Sequence, residues 1–200
     1  MAVSGGEARE GPRRRAGRAA RLRQILDESL ACFAEQGFER ATYDDLIRRS
    51  NISRGSFYWY FPSKEALYEA VLEDCVEGYV DRLGAEYGRT DPADPVAKRL
   101  FDASLADFRA HRPRYRLLLR APPSEGSHAK LVRWNDETQA FMRAKLESDG
   151  TVAPMEAALL ADVLSAFIDG VCVRAVLEEE GDLATLGRRI GEFLARIERR

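Results

Sequence analysis

The chain has 200 residues, 45% of them hydrophobic and 9% aromatic, enough to bury a sizeable core in one large or two small domains and too apolar for a disordered polypeptide. Its 31 basic and 33 acidic side chains nearly cancel, so net charge as a whole indicates neither nucleic acid nor a membrane surface. The charge is nevertheless uneven, because residues 1–61 carry 11 basic against 8 acidic groups and the remainder carries 20 against 25.

Taken in chain order, the first segment, residues 1–20, places Arg9, Arg13, Arg14, Arg15 and Arg18 among Gly5, Gly6, Gly11, Pro12 and Gly17. That composition builds no core and is expected to be a flexible basic arm, serving either as a solubilising tail or as a ligand of the DNA minor groove. From Leu22 the apolar positions Leu22, Ile25, Leu26, Leu30 and Phe33 form one helical stripe, which Gly37 ends. Thr42, with Asp45 three residues on, caps a second helix of about two turns. Asn51 can take a positive φ in the turn that follows, and Ser53 caps a third helix running through Tyr60. After Pro62, Ser63 starts a longer helix with Leu67, Val71, Cys75, Tyr79 and Leu83 along one side. Breaks at Thr90-Asp91-Pro92, Pro113, Pro122-Pro123, Gly150 with Pro154, and Gly181 then divide the rest into helices near 96–110, 113–120, 125–148, 154–179 and 182–198. No alternating strand pattern competes, so the fold class is all-α. The expected organisation is the arm at 1–20, a helix-turn-helix domain at 21–66 and a larger helical domain at 67–200.

Two short helices joined by a tight turn form a helix-turn-helix, whose second helix can enter the major groove. Gly55 and Ser56 keep the start of that helix slim, Arg54 can reach a guanine edge, and Ser56 can reach a phosphate or base. Phe57 and Phe61, four apart, point inward, which leaves Tyr58, Trp59 and Tyr60 as an outward group able to meet the sugar-phosphate backbone. Covering the core is the competing role for those three rings. Lys64, at a helix N-terminus, adds charge for a further phosphate.

The stretch ILDESLACFAEQGFERATYDDLIRRSNISRGSFYWYFPSKEALYEAVLE, Ile25 to Glu73, closely resembles the DNA-binding domain of the tetracycline-repressor (TetR) family of bacterial transcriptional regulators. The resemblance implies that Arg54, Gly55, Ser56, Tyr58, Trp59 and Tyr60 meet the groove or backbone and that Thr42 and Lys64 meet phosphates. It departs from the usual pattern at Ser50-Asn51, where Ala-Gly is common, and at Phe57, where Leu is common. It also implies a homodimer formed through the last two long helices, a ligand pocket among the middle helices, and repression relieved when a ligand tilts the fourth helix.

Bottom-up, Leu183, Leu186, Ile190, Phe193 and Ile197 follow the average 3.5-residue spacing of a helix that packs along another. The preceding helix carries apolar pairs every four residues, Leu159-Leu160, Val163-Leu164, Phe167-Ile168, Val171-Cys172 and Ala175-Val176, so it is buried on two sides. Either a second copy covers one side, with Leu164, Ile168, Val171, Leu186, Ile190, Phe193 and Ile197 as the interface, or the bundle is wholly intramolecular. A pocket for an unidentified small effector is expected around Phe108, Tyr115, Leu118, Trp134, Thr138, Phe141 and Phe167, a set that also reads as plain core.

Catalysis is not expected. His111 and His128 lack a Cys, a second His or a paired carboxylate at ligand or triad spacing, and no phosphate-cradling glycine loop is present. No cofactor and no metal are called for. Cys32, Cys75 and Cys172, far apart in apolar helical contexts, suit reduced thiols, and no apolar run approaches the ~18 residues of a membrane span, so a cytoplasmic location without membrane contact is expected. The reading is therefore a DNA-binding transcriptional regulator, a repressor of a palindromic operator. The alternatives are a helical protein-interaction module without DNA binding and, behind it, an uncharacterised enzyme.

Overall fold

A computed structural model describes residues 12–121, 124–150, 153–177 and 183–197. Among these the chain is helical throughout, with no strand: α1 (Pro12–Gln36), α2 (Tyr43–Ser50), α3 (Arg54–Tyr60), α4 (Lys64–Val76), α5 (Tyr79–Tyr87), α6 (Val96–Ala110), α7 (Arg112–Leu118), α8 (Glu125–Asp149), α9 (Pro154–Leu177) and α10 (Leu183–Ile197). The helices group into two compact units, residues 1–71 and 72–200, so the boundary falls inside α4 between Val71 and Leu72.

In the first unit α1 differs from expectation. Residues 12–20, read from composition as part of a flexible arm, form its first turns, while residues 1–11 lie outside the described set. The reason is helix propensity: Pro12 suits a first helical position, Arg and Ala are strong helix formers, and the segment extends a helix already nucleated over the core. Gly37 ends α1 at φ 81°. The Thr42 hydroxyl then accepts from the Asp45 amide while the Asp45 carboxylate accepts from the Thr42 amide, a reciprocal cap that starts α2. Asn51 makes the turn at φ 50° and ψ 40°, as a left-handed residue must. Buried Ser50 satisfies its hydroxyl on the Leu46 carbonyl at 2.7 Å, so neither departure from the family pattern at Ser50-Asn51 leaves a polar group stranded. The Ser53 hydroxyl accepts from the Ser56 amide and opens α3. Phe57 and Phe61 are buried, Phe57 edge-on to Tyr43 with centroids 5.2 Å apart, and Phe33, Phe38 and Tyr68 make a second aromatic cluster at 4.8–6.1 Å.

In the second unit, the helix expected to run unbroken from Ser63 past Leu83 is two helices. Gly78 stands at φ 68° between α4 and α5, and the Arg82 guanidinium donates to the Cys75 carbonyl at 3.2 Å and the Glu77 carbonyl at 3.1 Å. Those bonds satisfy carbonyls that the end of α4 leaves without helical partners. α6 is the central element, packed by α5, α8, α9 and α10 and burying Leu100, Phe101 and Phe108. α10 approaches it through Gly187 and Gly191; a Cβ at Gly187 would stand 2.3 Å from the Leu105 side chain. The apolar pairs of α9 divide: Leu164 and Ile168 face the core, while Leu159, Val163 and Phe167 are exposed. Cys32, Cys75 and Cys172 are buried free thiols, and burial pushes the Cys172 thiol up to about 12. No helix among the described residues is long and apolar enough to cross a membrane.

One wholly buried carboxylate organises this unit. Asp107 on α6 accepts from the Tyr115 hydroxyl at 2.9 Å, lies 3.0 Å from His111 Nδ1, and lies 3.5 Å from Arg82 Nε. Removing one partner of a buried ion pair strands the other. Asp107→Ala should therefore destabilise the protein by about 3 kcal/mol, at the low end for such pairs because Arg82 retains some solvent. Chemical denaturation of the full chain checks this, with Asp107→Asn losing less because it keeps an acceptor for Tyr115.

Candidate nucleic-acid interface and effector cavity

α3 is seven residues long, and its two faces have opposite fates. Phe57 is anchored in the core, whereas Tyr58 is 45% and Trp59 63% exposed, with Arg54 and Gly55 also open to solvent at the start of the helix. A Cβ at Gly55 would meet nothing within 4 Å, so this end of the helix is as slim as backbone allows. Tyr58 is braced by Tyr43 at 4.8 Å between centroids, and the Tyr43 hydroxyl donates to the Phe61 carbonyl. Ser56 is half-buried, and its hydroxyl oxygen accepts from the Ser53 hydroxyl at 2.9 Å. Tyr60 is also half-buried; its hydroxyl donates to the Arg18 carbonyl at 3.4 Å, and its ring stands edge-on to Trp59 at 5.0 Å.

Two charged residues sit differently from a simple phosphate-contact picture. The Arg54 guanidinium pairs with Asp44 at 2.7 Å, both groups exposed, which joins the start of α3 to the first turn of α2. Asp44 carried no sequence signal because the pair spans two elements. Lys64 is half-buried: its ammonium donates to the carbonyls of Phe38 at 2.9 Å and Ala41 at 3.2 Å and lies 4.3 Å from the centre of the Phe38 ring. In this structure the lysine clamps the α1–α2 connection instead of standing out as a free charge. Thr42 is exposed, with its hydroxyl engaged in the cap of α2. Asp45, hydrogen-bonded by Thr42 and attracted by Arg48, has its carboxyl held below the ordinary value.

The residues expected to form an effector pocket are only partly gathered. Tyr115, Trp134 and Thr138 line a cavity of about 20 Å³ in the second unit together with Tyr79, Asn135, Met142, Ser165 and Ile168, with Asp169 also on its wall. That volume suits a single water. Phe108 lies behind Tyr115, edge to face at 5.0 Å, and Leu118 is buried outside the lining. Phe141 packs instead near Tyr87 and over Gly84, and Phe167 is largely exposed near Phe101. Spacing along α8 did not separate these fates because its apolar positions serve several neighbours. Sequence reading also missed Tyr79, whose ring stands edge-on to Trp134 at 5.5 Å. The Tyr79 and Tyr115 hydroxyls are 3.3 Å apart, and burial pushes both well above the usual phenol range. The buried Trp134 Nε1 has no acceptor among the described groups.

Of the residues expected at a dimer interface, Leu164, Ile168 and Val171 are buried in the core of their own unit, and Leu186 and Ile190 pack against that core from α10. Phe193 is 59% exposed, and the side chain of Ile197 lies outside those described. Among the described residues no cluster of His, Cys, Asp or Glu could hold a metal.

A short helix fixed by one buried ring, with a slim exposed start and aromatic groups on its outer face, is the second helix of a helix-turn-helix. Residues 25–71, in the N-terminal unit, match the family described as bacterial regulatory proteins, tetR family. Over 78 residues the chain is 28% identical to the biofilm operon icaADBC HTH-type negative transcriptional regulator IcaR of Staphylococcus epidermidis, a match covering 39% of this chain and 42% of that protein. Over 52 residues it is 35% identical to the A-factor receptor protein of Streptomyces griseus, covering 26% of this chain and 19% of that one. The chain thus spans less than half the length of these curated relatives. The fold as a whole is shared with a TerR/AcrR-family transcriptional regulator from Aquifex aeolicus VF5, at a TM-score of 0.72 and 21% identity over 88% of this chain and 99% of that one. It is shared also with the regulator FadR from Bacillus subtilis in complex with stearoyl-CoA, at 0.69 and 15% identity over 86% and 97%.

The Lys64 clamp has a measurable consequence. Hydrogen bonds from a charged donor contribute about 1.5–3 kcal/mol, so Lys64→Met should lower the stability of the first unit by roughly that amount. Thermal unfolding followed at Trp59 is the check, and an unchanged transition would place the ammonium outside the fold's support.

Proposed function

We propose that this protein is a cytoplasmic homodimeric transcriptional repressor that reads a palindromic operator with α3 and releases it when a small-molecule effector binds the second unit. The observation that carries the reading is α3 itself, with Arg54 and Gly55 exposed at a slim start and Tyr58 and Trp59 outward on a packed base. On DNA, Arg54 leaves Asp44 for a base edge. An exposed ion pair contributes at most about 1 kcal/mol, whereas a bidentate base contact offers about 1–3 kcal/mol. Tyr58 and Trp59 meet the backbone, with Ser56, Tyr60 and Thr42 beside them. Repression is supported by the description of the IcaR relative as a negative regulator.

The second copy in this reading covers the outer face of α9, where Met155, Leu159, Val163 and Phe167 recur every four residues and Leu159 is 65% exposed. An apolar stripe of this kind is rarely left to water. The interface in this reading is therefore the exposed Leu159, Val163 and Phe167 of the first three α9 pairs, joined by Met155 and Phe193, in place of Leu164, Ile168 and Val171.

The effector enters the cavity beside Tyr115, Trp134 and Thr138, where the unpaired Trp134 N–H favours a ligand carrying a hydrogen-bond acceptor. FadR from Bacillus subtilis was solved with stearoyl-CoA; a cavity of about 20 Å³ would have to open by moving its rings to hold any organic ligand. Within the second unit, Tyr115 bonds Asp107, Asp107 lies beside Arg82, and Arg82 holds the Cys75 carbonyl at the end of α4. Arg114 and Arg133 hold Asp74 and Glu73 on the same helix. Binding that displaces Tyr115 would thus reposition α4, the helix that supplies residues to both units.

Selection of genomic fragments on the purified protein should return a nearly symmetric site. Tyr58→Ala should weaken binding to it at least ~10-fold, while Asp44→Asn, which frees Arg54 and removes a negative charge facing phosphate, should strengthen it several-fold. Recovery of no enriched site, or wild-type affinity in Tyr58→Ala, would sink the DNA-binding reading. Separately, Leu159→Glu with Phe193→Glu should give a folded monomer by light scattering, because the interface would then bury unpaired charges at a cost of several kcal/mol. A dimer that persists in this variant places the interface elsewhere.

A further inference from the structure

We infer, resting on the effector site proposed for the second unit, that its cavity takes the positively charged head of an organic amine that also carries a hydrogen-bond acceptor. Three rings wall the space. Tyr79 stands at 76° to Tyr115 and 82° to Trp134, and Tyr115 stands at 75° to Trp134, with centroids 5.5–6.3 Å apart. Rings in that arrangement make a corner instead of a stack, and the electron-rich faces of such a corner attract a cation from more than one direction. Tyr79 already meets a cation on one side, where the Arg82 guanidinium lies 5.8 Å from its ring centre.

The charge of the lining has one sign. Asp169 is a carboxylate on the wall, and no Lys, Arg or His lines the cavity with it. Partial burial raises its carboxyl, and no basic group lies near enough to lower it. Arg82 is matched elsewhere, 3.5 Å from Asp107. An anion placed in the cavity would meet Asp169 with nothing to balance either charge, whereas an ammonium ion supplies the missing partner.

Size and exposure orient the ligand. A cavity of about 20 Å³ offers room to one small group, so parting the rings admits a compact head and not a long chain. Among the lining residues Asp169 alone is exposed, and it marks the mouth through which the rest of the ligand extends. The buried Trp134 Nε1 has no acceptor among the described groups. A carbonyl or ether oxygen close to the ammonium gives it one, and a buried donor gains most from such a partner because leaving it unpaired is costly.

The test is calorimetric titration of the full-length protein with acetylcholine, benzyltrimethylammonium, the neutral isosteres of both with carbon in place of nitrogen, and stearoyl-CoA as an anionic probe. Each cation should bind at least ~10-fold tighter than its isostere, a difference within reach of cation–π attraction and one carboxylate. Asp169→Asn keeps the size and polarity of the side chain, so it should stay folded by circular dichroism while narrowing that preference several-fold. Trp134→Phe keeps a ring without the N–H and should weaken acetylcholine, whose ester supplies an acceptor, more than benzyltrimethylammonium, which has none. Equal effects on the two cations overturn the acceptor. Isosteres that bind as tightly as the cations, or a preference unchanged in Asp169→Asn, overturn the amine site, and so does failure of both cations to bind. Binding of stearoyl-CoA alone overturns it too, and release of a selected genomic duplex by that probe then leaves the effector reading standing. Cations that bind as expected but leave affinity for the duplex unchanged keep the amine site and sink the effector reading.

Discussion

The first unit depends on the burial of Phe57. A helix of seven residues is too short to persist by its own hydrogen bonds, so α3 exists because one ring on its inner face is wholly removed from water and a second, Phe61, follows one turn later. Full burial of such a ring contributes about 1.5–3 kcal/mol, comparable with the cost of ordering only one or two residues. Hence the supplementary devices around it: the Ser53 cap, the Tyr43 hydroxyl on the Phe61 carbonyl, and the reciprocal Thr42–Asp45 cap that holds α2 beneath. The outward residues of α3 are positioned by these inward ones, and rigid presentation is what a groove-reading helix requires.

The second unit solves a different problem, how to place a charge in a core without leaving it alone. Asp107 Oδ2 accepts from Tyr115, while Oδ1 has His111 and Arg82 within 3.5 Å and no hydrogen-bond partner among the described groups. Arg82 in turn closes the end of α4 by taking the Cys75 and Glu77 carbonyls. One carboxylate thereby links the aromatic lining of the small cavity to the helix in which the two units meet in sequence. A buried ion pair is a poor source of stability compared with apolar packing.

The face of α9 left to solvent and the small volume beside Trp134 belong together physically. A helix with apolar residues on two sides cannot satisfy both within one unit of this size, and α9 gives its smaller residues, Ala157, Ala161 and Ala175, to the core, with Leu164 and Ile168 among them. That close inner packing leaves little room between α8 and α9, which is why Tyr115, Trp134 and Thr138 enclose space for no more than about one water. The outer side chains, Met155, Leu159, Val163 and Phe167, are larger and are left for a surface beyond the unit.

Much of the architecture was legible in the sequence because it is governed by local chemistry. Helix boundaries from 96 onward follow Pro, Gly and Asp signals, the left-handed turn follows Asn51, and the inward and outward faces of α3 follow a period of 3.6 residues. Other features required the folded chain. The α1 extension across 12–20 reverses a reading made from composition, because helix propensity acts once a neighbouring turn is nucleated. The Gly78 break is decided by Arg82, which reaches back to carbonyls that local pattern does not mark. Lys64 in a clamp and Arg54 on Asp44 are pairings between elements. Which member of the first three α9 pairs faces inward, and that both members of Val171-Cys172 and Ala175-Val176 do, depends on what stands opposite. Sequence by itself determined the helices, their caps and the residue types available for binding DNA; tertiary structure alone decided which side chains meet, because a helix fixes the directions of its faces while only packing supplies their partners.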